Sequence, residues 1–420
     1  MTPLYTYLTK QKHDHYKDKP LTAFIYDLAA LKTHCQIIKA AMPENIEMYY
    51  AAKANADAPI LKTIASVFDG FEVASGGELQ KIKRHCPQSR VLMGGPGKTD
   101  DELKQAVIAG IETLHIESIH ELQRLISILK QAEFKRQNID ISLRLNIAFS
   151  ALKTTRLTMG GLASPFGMDE HMVDECMVLL KSQTKITLKG LHFHLASFQT
   201  DMPSYLNLLS QYFDYFHQFC DKHDFRLLHL NVGGGIGVDY EDPSCLFPWQ
   251  SFAKALQQLI FDKQMSQTII RFECGRAISA YCGYYAAEVL DIKTVHGKHF
   301  CIISGGTHHF RTPYAQNHSH PFTICAIDNW QRSYSRRLIM EANVDIVGQL
   351  CTPKDILAYD QKITSLRSGD IIVFHMAGAY GWNISHHDFL CHPHPEMIYL
   401  TKPSDINVTS RNDNNEKNHV

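Results

Sequence analysis

Several patterns typical of secreted, membrane or nucleic-acid-binding proteins are lacking in this chain of 420 residues. The first residues do not place a basic segment before an apolar one, so we expect no signal peptide. The most apolar long window, residues 278–290, is too short to span a bilayer and contains Glu288. The 42 Lys and Arg residues nearly balance the 43 Asp and Glu residues, which argues against a nucleic-acid or membrane-surface partner.

Paired cysteines are lacking as well. The 11 cysteines are scattered, and no two of them form a Cys-x-x-Cys pair. This usage fits reduced thiols better than a disulfide framework, so we expect a cytoplasmic protein. The length and the ordinary globular composition predict two or three domains, or one barrel with a second unit.

The middle of the chain alternates strand-like and helix-like segments. A (β/α)8 barrel of ~250 residues needs about eight such units in succession, and an open doubly wound sheet is the alternative. The strand candidates are residues 48–53, 71–75, 90–94, 113–117, 140–146, 187–195, 229–232 and 268–273.

The pattern changes near residue 280 to strands with few long helices between them. We therefore predict an α/β barrel over residues 21–280, followed by a β-rich domain over residues 281–402 that also takes in residues 1–20. Residues 403–420 are polar and are predicted to be a disordered tail.

Lys53 closes the first apolar strand candidate of the barrel. Barrels present ligand-binding residues at the carboxyl ends of their strands. If the lysine amine were held in an apolar pocket, its pKa would fall and it would become a Schiff-base nucleophile. A solvated lysine at a strand end is the alternative interpretation.

Glycines follow the seventh strand candidate, at Gly233, Gly234 and Gly235. Consecutive glycines let backbone N–H groups approach a phosphate closely, although a tight barrel turn explains them equally well. The segment lacks a following Gly-Lys-Ser/Thr, so it is not a P-loop.

The eighth and sixth strand candidates end in residues suited to a planar ligand. Glu273, followed by Gly275 and Arg276, can serve a heterocyclic nitrogen and a phosphate, or form an ordinary ion pair. By strand alternation His192 and His194 face the same way, and either can stack on a ring or be a satisfied core histidine.

A lysine amine, phosphate-binding glycines and a carboxylate for a ring nitrogen match the needs of pyridoxal 5'-phosphate. A carboxylate at that nitrogen keeps it protonated, which favours decarboxylation. Racemisation is the alternative chemistry, but it usually has an arginine there, and Glu273 argues against it. A non-catalytic cofactor carrier is a third interpretation, against which the extra C-terminal domain argues.

Over residues 21–400 the chain resembles the fold-type III pyridoxal-phosphate decarboxylases, the group of ornithine and diaminopimelate decarboxylases. Within that group it is most similar to the decarboxylases of staphyloferrin B siderophore biosynthesis, which act on citryl-diaminopropionate. The segments that carry this likeness are residues 94–100, 117–124, 347–355 and 378–389.

The resemblance implies a role for each matching residue, and an alanine-racemase-like fold. Lys53 resembles the Schiff-base lysine, His194 the histidine stacked on the cofactor ring, and Glu273 the pyridine partner. Cys351 resembles the cysteine that reprotonates the product; the family takes it from the partner subunit, so a homodimer is implied. Arg311 resembles the arginine for the substrate carboxylate, and the implied phosphate contacts are Ser197, Gly233, Gly234, Gly235, Gly275, Arg276 and Tyr380.

One departure from the family bears on the substrate. Relatives that act on diamines carry an Asp or Glu directly after the cysteine, where this chain has Thr352, followed by Pro353 and Lys354. A distal ammonium would lose its charge partner there, which is costly. We therefore expect an anionic distal group such as citryl, rather than free lysine, ornithine or diaminopimelate.

The histidine-rich segments do not have the spacing of metal ligands. The sequence His386-His387 and the sequence His392-Pro393-His394 form neither a helical i, i+4 pair nor part of a cysteine set. We expect no metal, and the partners expected are a small-molecule substrate and a second copy of the chain.

Overall fold

The computed structural model describes residues 3–150, 161–195 and 197–401. These residues form two compact units. The barrel unit contains residues 31–281, as far as they are described, and residues 378–383. The β-rich unit contains residues 3–30, 282–377 and 384–401. The predicted disordered tail, residues 403–420, lies outside the described part.

Eight parallel strands close into a barrel because β2, the first of them, pairs with β9, the last. The predicted barrel is confirmed, and the open doubly wound sheet is wrong. The strands are β2 (Ile46–Ala51), β3 (Gly70–Val73), β4 (Arg90–Met93), β5 (Thr113–Ile116), β6 (Ile139–Arg144), β7 (Ile186–His192), β8 (His229–Asn231) and β9 (Ile269–Cys274).

Helices alternate with the barrel strands, and several begin at a residue that caps the free backbone N–H groups. Ser75 accepts from Glu78 N, and Thr99 forms a capping box with Glu102. The helices are α2 (Leu28–Ala41), α3 (Ala58–Ala65), α4 (Gly76–His85), α5 (Asp100–Ala109), α6 (Ile119–Lys130), α7 (Glu170–Leu180), α8 (Met202–His223), α9 (Trp249–Asp262) and α10 (Arg276–Ser279). None of the described helices has the length and apolar character needed to cross a membrane.

A second sheet makes up most of the β-rich unit. Six of its strands pair in the order β12-β15-β10-β11-β13-β14. In addition, β1 pairs with β10 on one side and with β16 on the other. Its strands are β1 (Thr22–Asp27), β10 (Gly283–Val295), β11 (Lys298–Ile303), β12 (Phe322–Cys325), β13 (Leu338–Val347), β14 (Ile356–Arg367), β15 (Ile371–Phe374) and β16 (Glu396–Leu400), and its helices are α1 (Pro3–Asp14) and α11 (Thr312–Gln316).

The first residues of the predicted barrel belong to the other unit. We expected residues from 21 onward in the barrel, but β1 pairs antiparallel with β10 and parallel with β16. Thr22–Asp27 therefore belongs to the second sheet, and the barrel unit begins at Leu31. No strand was predicted before residue 48, and the sheet that a strand joins depends on long-range pairing rather than on its local pattern.

Candidate active site

Lys53 lies just beyond the carboxyl end of β2. It occupies a 3-10 turn, Ala52–Ala54, rather than the last position of the strand as predicted. Asn383 donates to the Lys53 carbonyl at 2.6 Å and holds this turn. The side chain is 39 % exposed, and its Nζ lies 3.2 Å from Oε2 of buried Glu72.

The charges around Lys53 decide the state of its amine. Partial burial lowers the pKa of Lys53, but Glu72, Tyr380 and Glu273 outweigh this effect and raise the pKa above its usual value. Burial raises the pKa of Glu72 to about 7, against the opposing pull of Lys53. In the chain itself the amine is therefore a cation in an ion pair, and an apolar pocket does not lower its pKa.

Glu273 occupies the carboxyl end of β9 and is buried. His115 Nε2 lies 2.9 Å from its Oε1, and Asn231 donates to the same oxygen at 2.7 Å. Burial favours the neutral acid, yet the contacts with His192 and His115 hold the pKa of Glu273 well below its usual range. This carboxylate therefore stays ionised inside the barrel, as a partner for a protonated ring nitrogen must.

The glycine segment after β8 is packed against the backbone around it. Gly233 and Gly235 have φ values of +70° and +96°, which favour glycine. A β-carbon on Gly234 would overlap the carbonyl oxygen of Glu273. The surrounding backbone therefore excludes side chains at these positions, and Gly233 N already donates to Asn231 Oδ1 at 2.9 Å.

His194 lies in the loop after β7 and contacts the glycine segment. Its Nδ1 accepts a hydrogen bond from Gly234 N at 3.0 Å. Burial, with the nearby cations Lys53 and Arg144, lowers the pKa of His194 well below its usual value. A neutral imidazole fits the predicted role of a ring that stacks on a planar cofactor.

Arg276 and Tyr380 come together near the lysine turn. The guanidinium carbon of Arg276 lies 4.4 Å from the ring centroid of Tyr380, and Nη1 donates to Tyr240 at 2.6 Å. Tyr380 N donates to Ala54 O at 2.7 Å. A β-carbon on Gly275 would lie 3.4 Å from Tyr380 Oη. The predicted phosphate-binding residues Gly275, Arg276 and Tyr380 are thus neighbours.

Ser197 belongs to the same end of the barrel. Its carbonyl accepts from Gln199 Nε2 at 3.3 Å, and Gln199 N donates to Gly235 O at 2.8 Å. The backbone after β7 therefore pairs with the glycine segment, which places Ser197 beside the predicted phosphate loop.

Charged residues at other strand ends were not identified from the sequence. Glu72 in β3 pairs with Lys53, and Arg144, at the end of β6, forms a 2.7 Å ion pair with Glu117. His115 in β5 contacts Glu273. The signal that could have revealed them is a titratable residue near the carboxyl end of an otherwise apolar barrel strand.

The remaining predicted residues belong to the β-rich unit. Cys351 and Lys354 are exposed, in a loop anchored by Asp355, whose Oδ2 accepts from Leu350 N at 2.8 Å. Thr307 N and Oγ1 both donate to Oδ1 of Asp355. Thr352 Oγ1 accepts from Lys354 N at 3.3 Å, so these two predicted substrate residues adjoin each other.

Arg311, the predicted arginine for the substrate carboxylate, lies directly before α11 in the β-rich unit. Its backbone N donates to Ser385 Oγ at 3.0 Å, and its side chain is exposed. The backbone of Arg311 is thus anchored, and the residue is exposed.

One group in the described part of the chain has enough nearby ligand atoms for a metal: His115, His192 and Glu273. Two contacts already hold its carboxylate, His115 Nε2 at 2.9 Å and His192 Nε2 at 3.3 Å. The expectation that the protein binds no metal stays a prediction.

The barrel residues fit pyridoxal 5'-phosphate. Lys53 offers an amine, Glu273 an ionised carboxylate, and Gly233–Gly235 a loop that side chains would block. Arg276 adds a cation for the phosphate. Each part of the cofactor that needs a protein partner thus has one at the carboxyl end of the barrel.

Comparison with known proteins agrees with this geometry. The family model of the pyridoxal-dependent decarboxylase pyridoxal-binding domain matches residues 28–280. The 2-[(L-alanin-3-ylcarbamoyl)methyl]-2-hydroxybutanedioate decarboxylase of Staphylococcus aureus is 44% identical over 95% of this chain and 98% of its own. The L-glutamyl-[acyl-carrier protein] decarboxylase of Niallia circulans is 29% identical over 89% of this chain and 87% of its own.

A solved structure shares the architecture. The diaminopimelate decarboxylase of Helicobacter pylori, in complex with L-lysine, superposes with a TM-score of 0.79 at 25% identity. The match covers 92% of this chain and 93% of that one. The matched barrel domain and the near full-length relatives show that this chain belongs to the pyridoxal-dependent decarboxylases, lyases that use pyridoxal 5'-phosphate.

Proposed function

We propose that this enzyme decarboxylates citryl-L-2,3-diaminopropionate to citryl-ethylenediamine and CO2 in siderophore biosynthesis. The observation that carries the proposal is the 44% identity to the Staphylococcus aureus enzyme over 95% of this chain. The substrate for which that enzyme is named is an alanine joined through C3 to a hydroxybutanedioate by an amide, which is an amino acid with an anionic distal end. After Cys351 this chain has Thr352 and Lys354, where family members that act on diamines carry an acidic residue. This difference also supports a substrate with an anionic distal group.

The barrel residues would hold the cofactor. Lys53 would bind its aldehyde carbon, Glu273 would face its ring nitrogen, and His194 would lie against its ring. Its phosphate would be bound by Ser197, Gly233, Gly234, Gly235, Gly275, Arg276 and Tyr380. When bound, pyridoxal 5'-phosphate supplies an electron sink for the pair released as the α-carboxylate leaves as CO2.

Residues of the β-rich unit would act on the substrate. Arg311 would hold a substrate carboxylate and Lys354 would attract the citryl group, with Thr352 adjoining it. The Cys351 thiol would return a proton to the α-carbon after CO2 has left. Cys351 is exposed in the single chain. We propose a homodimer in which this cysteine serves the lysine of the partner subunit.

We also propose a cytoplasmic location. All 11 cysteines are free thiols, and eight of them are at least partly buried, so a reducing compartment suits the chain.

Product analysis tests the substrate directly. Purified enzyme with pyridoxal 5'-phosphate is supplied with the citryl conjugate, meso-diaminopimelate, L-ornithine or L-lysine, and CO2 release and product mass are measured. We expect turnover of the citryl conjugate with loss of one CO2 from the amino-acid carbon. Efficient turnover of a free diamino acid, with none of the conjugate, would replace this proposal with the alternative of a diamino-acid decarboxylase.

A further inference from the structure

Three buried side chains surround the carboxylate of Glu273. His115 Nε2 lies 2.9 Å from Oε1, and Asn231 Nδ2 donates to the same atom at 2.7 Å. His192 Nε2 lies 3.3 Å from the other oxygen, Oε2. The side chains of His115, His192 and Glu273 are 1 %, 3 % and 4 % exposed, so water does not replace these contacts.

The hydrogen bond at His115 runs from the imidazole to the carboxylate. An ionised carboxylate can only accept, so His115 carries its proton on Nε2. The other ring nitrogen, Nδ1, has no hydrogen-bond partner among the described residues. Asn231 Nδ2 also lies 3.3 Å from His115 Nε2, but an amide N–H and a protonated Nε2 are both donors, so the 2.9 Å contact with Glu273 is the hydrogen bond that His115 Nε2 makes.

The second imidazole packs against the first. The rings of His115 and His192 lie 4.0 Å apart, centroid to centroid. Burial, then the neighbouring His115, lowers the pKa of His192 to about 4. The other titratable groups that act on Glu273 are Lys53, Glu72 and His194. Of these groups, His115 makes the shortest contact with the carboxylate, at 2.9 Å, against 3.3 Å for His192.

A proton placed between a buried carboxylate and a pyridine nitrogen has two possible positions. Burial favours the neutral pair, in which the acid keeps the proton. Donors to the carboxylate favour the ionised pair, in which the nitrogen keeps it. The number of hydrogen-bond donors to Glu273 therefore decides whether the shared proton lies on the carboxylate or on the ring nitrogen.

We propose that His115 is a positioning residue that donates to Glu273 and so keeps the shared proton on the ring nitrogen of the cofactor. This inference rests on the proposed placement of that nitrogen opposite Glu273. His115→Phe keeps an aromatic ring against His192 but removes the donor, whereas His115→Gln keeps a donor. Losing one hydrogen bond to a charged group should shift the proton toward Glu273 by about ten- to a hundredfold.

The position of the proton can be read by ¹⁵N NMR of the enzyme loaded with ring-¹⁵N pyridoxal 5'-phosphate. We expect a protonated-nitrogen signal in the wild type and in His115→Gln, and a signal moved toward the unprotonated form in His115→Phe. His115→Leu repeats the loss of the donor with a different shape, should the Phe variant not fold. His229→Phe, another buried barrel histidine, is the matched control and should keep the wild-type signal.

The Glu273→Gln variant separates the two proposals. If its signal equals that of the wild type, Glu273 does not face the ring nitrogen and the proposed site is wrong. If Glu273→Gln changes the signal but both donor-free His115 variants keep it, the site stands and the role of His115 is overturned.

Discussion

The amine of Lys53 and the carboxylate of Glu72 form an ion pair across neighbouring barrel strands, with Nζ 3.2 Å from Oε2. Ala51, two residues before the lysine, is in register with Glu72 of β3. The pair holds the lysine over the carboxyl end of the barrel before any cofactor arrives.

Lys53→Ala should abolish the visible absorbance of the bound cofactor, at roughly 420 nm, because no amine remains to bind its aldehyde. The absorption spectrum of the purified variant with added pyridoxal 5'-phosphate measures this. The exposed Lys62 provides a control, and Lys62→Ala should keep the band. Persistence of the band in Lys53→Ala would show that another lysine binds the cofactor.

Glu72 should make the stability of the cofactor-free protein depend on pH. Burial raises the pKa of its carboxyl from 4.5 to about 7, so the folded chain binds more protons than the unfolded chain between those values. Stability contributed by the protonated acid is therefore present at low pH and is lost as pH rises from 4.5 to 7.

The comparison is between wild type and Glu72→Gln, with urea midpoints measured at several pH values in that window. We expect the wild type to lose stability relative to the variant as the pH rises. A wild type that gains stability relative to Glu72→Gln would mean that the ion pair with Lys53 outweighs the burial of Glu72.

Gly234→Ala should weaken both the fold and cofactor binding. The added β-carbon would overlap the carbonyl oxygen of Glu273, so the backbone must shift, at a cost of about 1–3 kcal/mol. Thermal unfolding and the dissociation constant of pyridoxal 5'-phosphate report the two effects. A β-carbon on Gly97 would meet nothing within 4 Å, so Gly97→Ala is the matched control. Equal behaviour of the two variants would contradict the close packing of the glycine loop.

Lys354→Ala should raise KM for the citryl conjugate roughly fivefold, which corresponds to about 1 kcal/mol for one exposed charge pair. The kcat should change little, because the lysine would bind a distal group and not the reacting carbon. Steady-state kinetics measure both constants. Lys362, exposed on β14, is the control for the loss of one positive charge. An unchanged KM in Lys354→Ala would remove this residue from the substrate site.

Two inactive variants should restore activity when their subunits are mixed. In a Lys53→Ala and Cys351→Ala heterodimer, one of the two shared sites would be intact, so an equal mixture should regain about a quarter of the wild-type rate. The mixture is refolded together and assayed for CO2. Mixing Lys53→Ala with Glu273→Gln should restore nothing, since both residues belong to the barrel unit. No recovery in the first mixture would mean that each chain uses its own cysteine.

The alternation of strands and helices and the order of the motifs were enough to predict the barrel, the family and the cofactor. These features are local, because each barrel strand is a short apolar run and each motif lies at a strand end. The predicted strands at residues 71–75, 90–94 and 113–117 overlap β3, β4 and β5. The sheet that β1 joins was not predictable, because strand pairing is a long-range property.

The sequence by itself determined that the chain carries Lys53, Glu273 and the glycine segment, and therefore which cofactor it uses. Only the tertiary structure decided which charges surround those groups. His115 and Glu273 are 158 positions apart, yet their side chains lie 2.9 Å apart because β5 and β9 belong to one closed barrel. Since pKa depends on neighbours and burial, the ionisation of Lys53, Glu72 and Glu273 is a property of the fold and cannot be read from the order of residues.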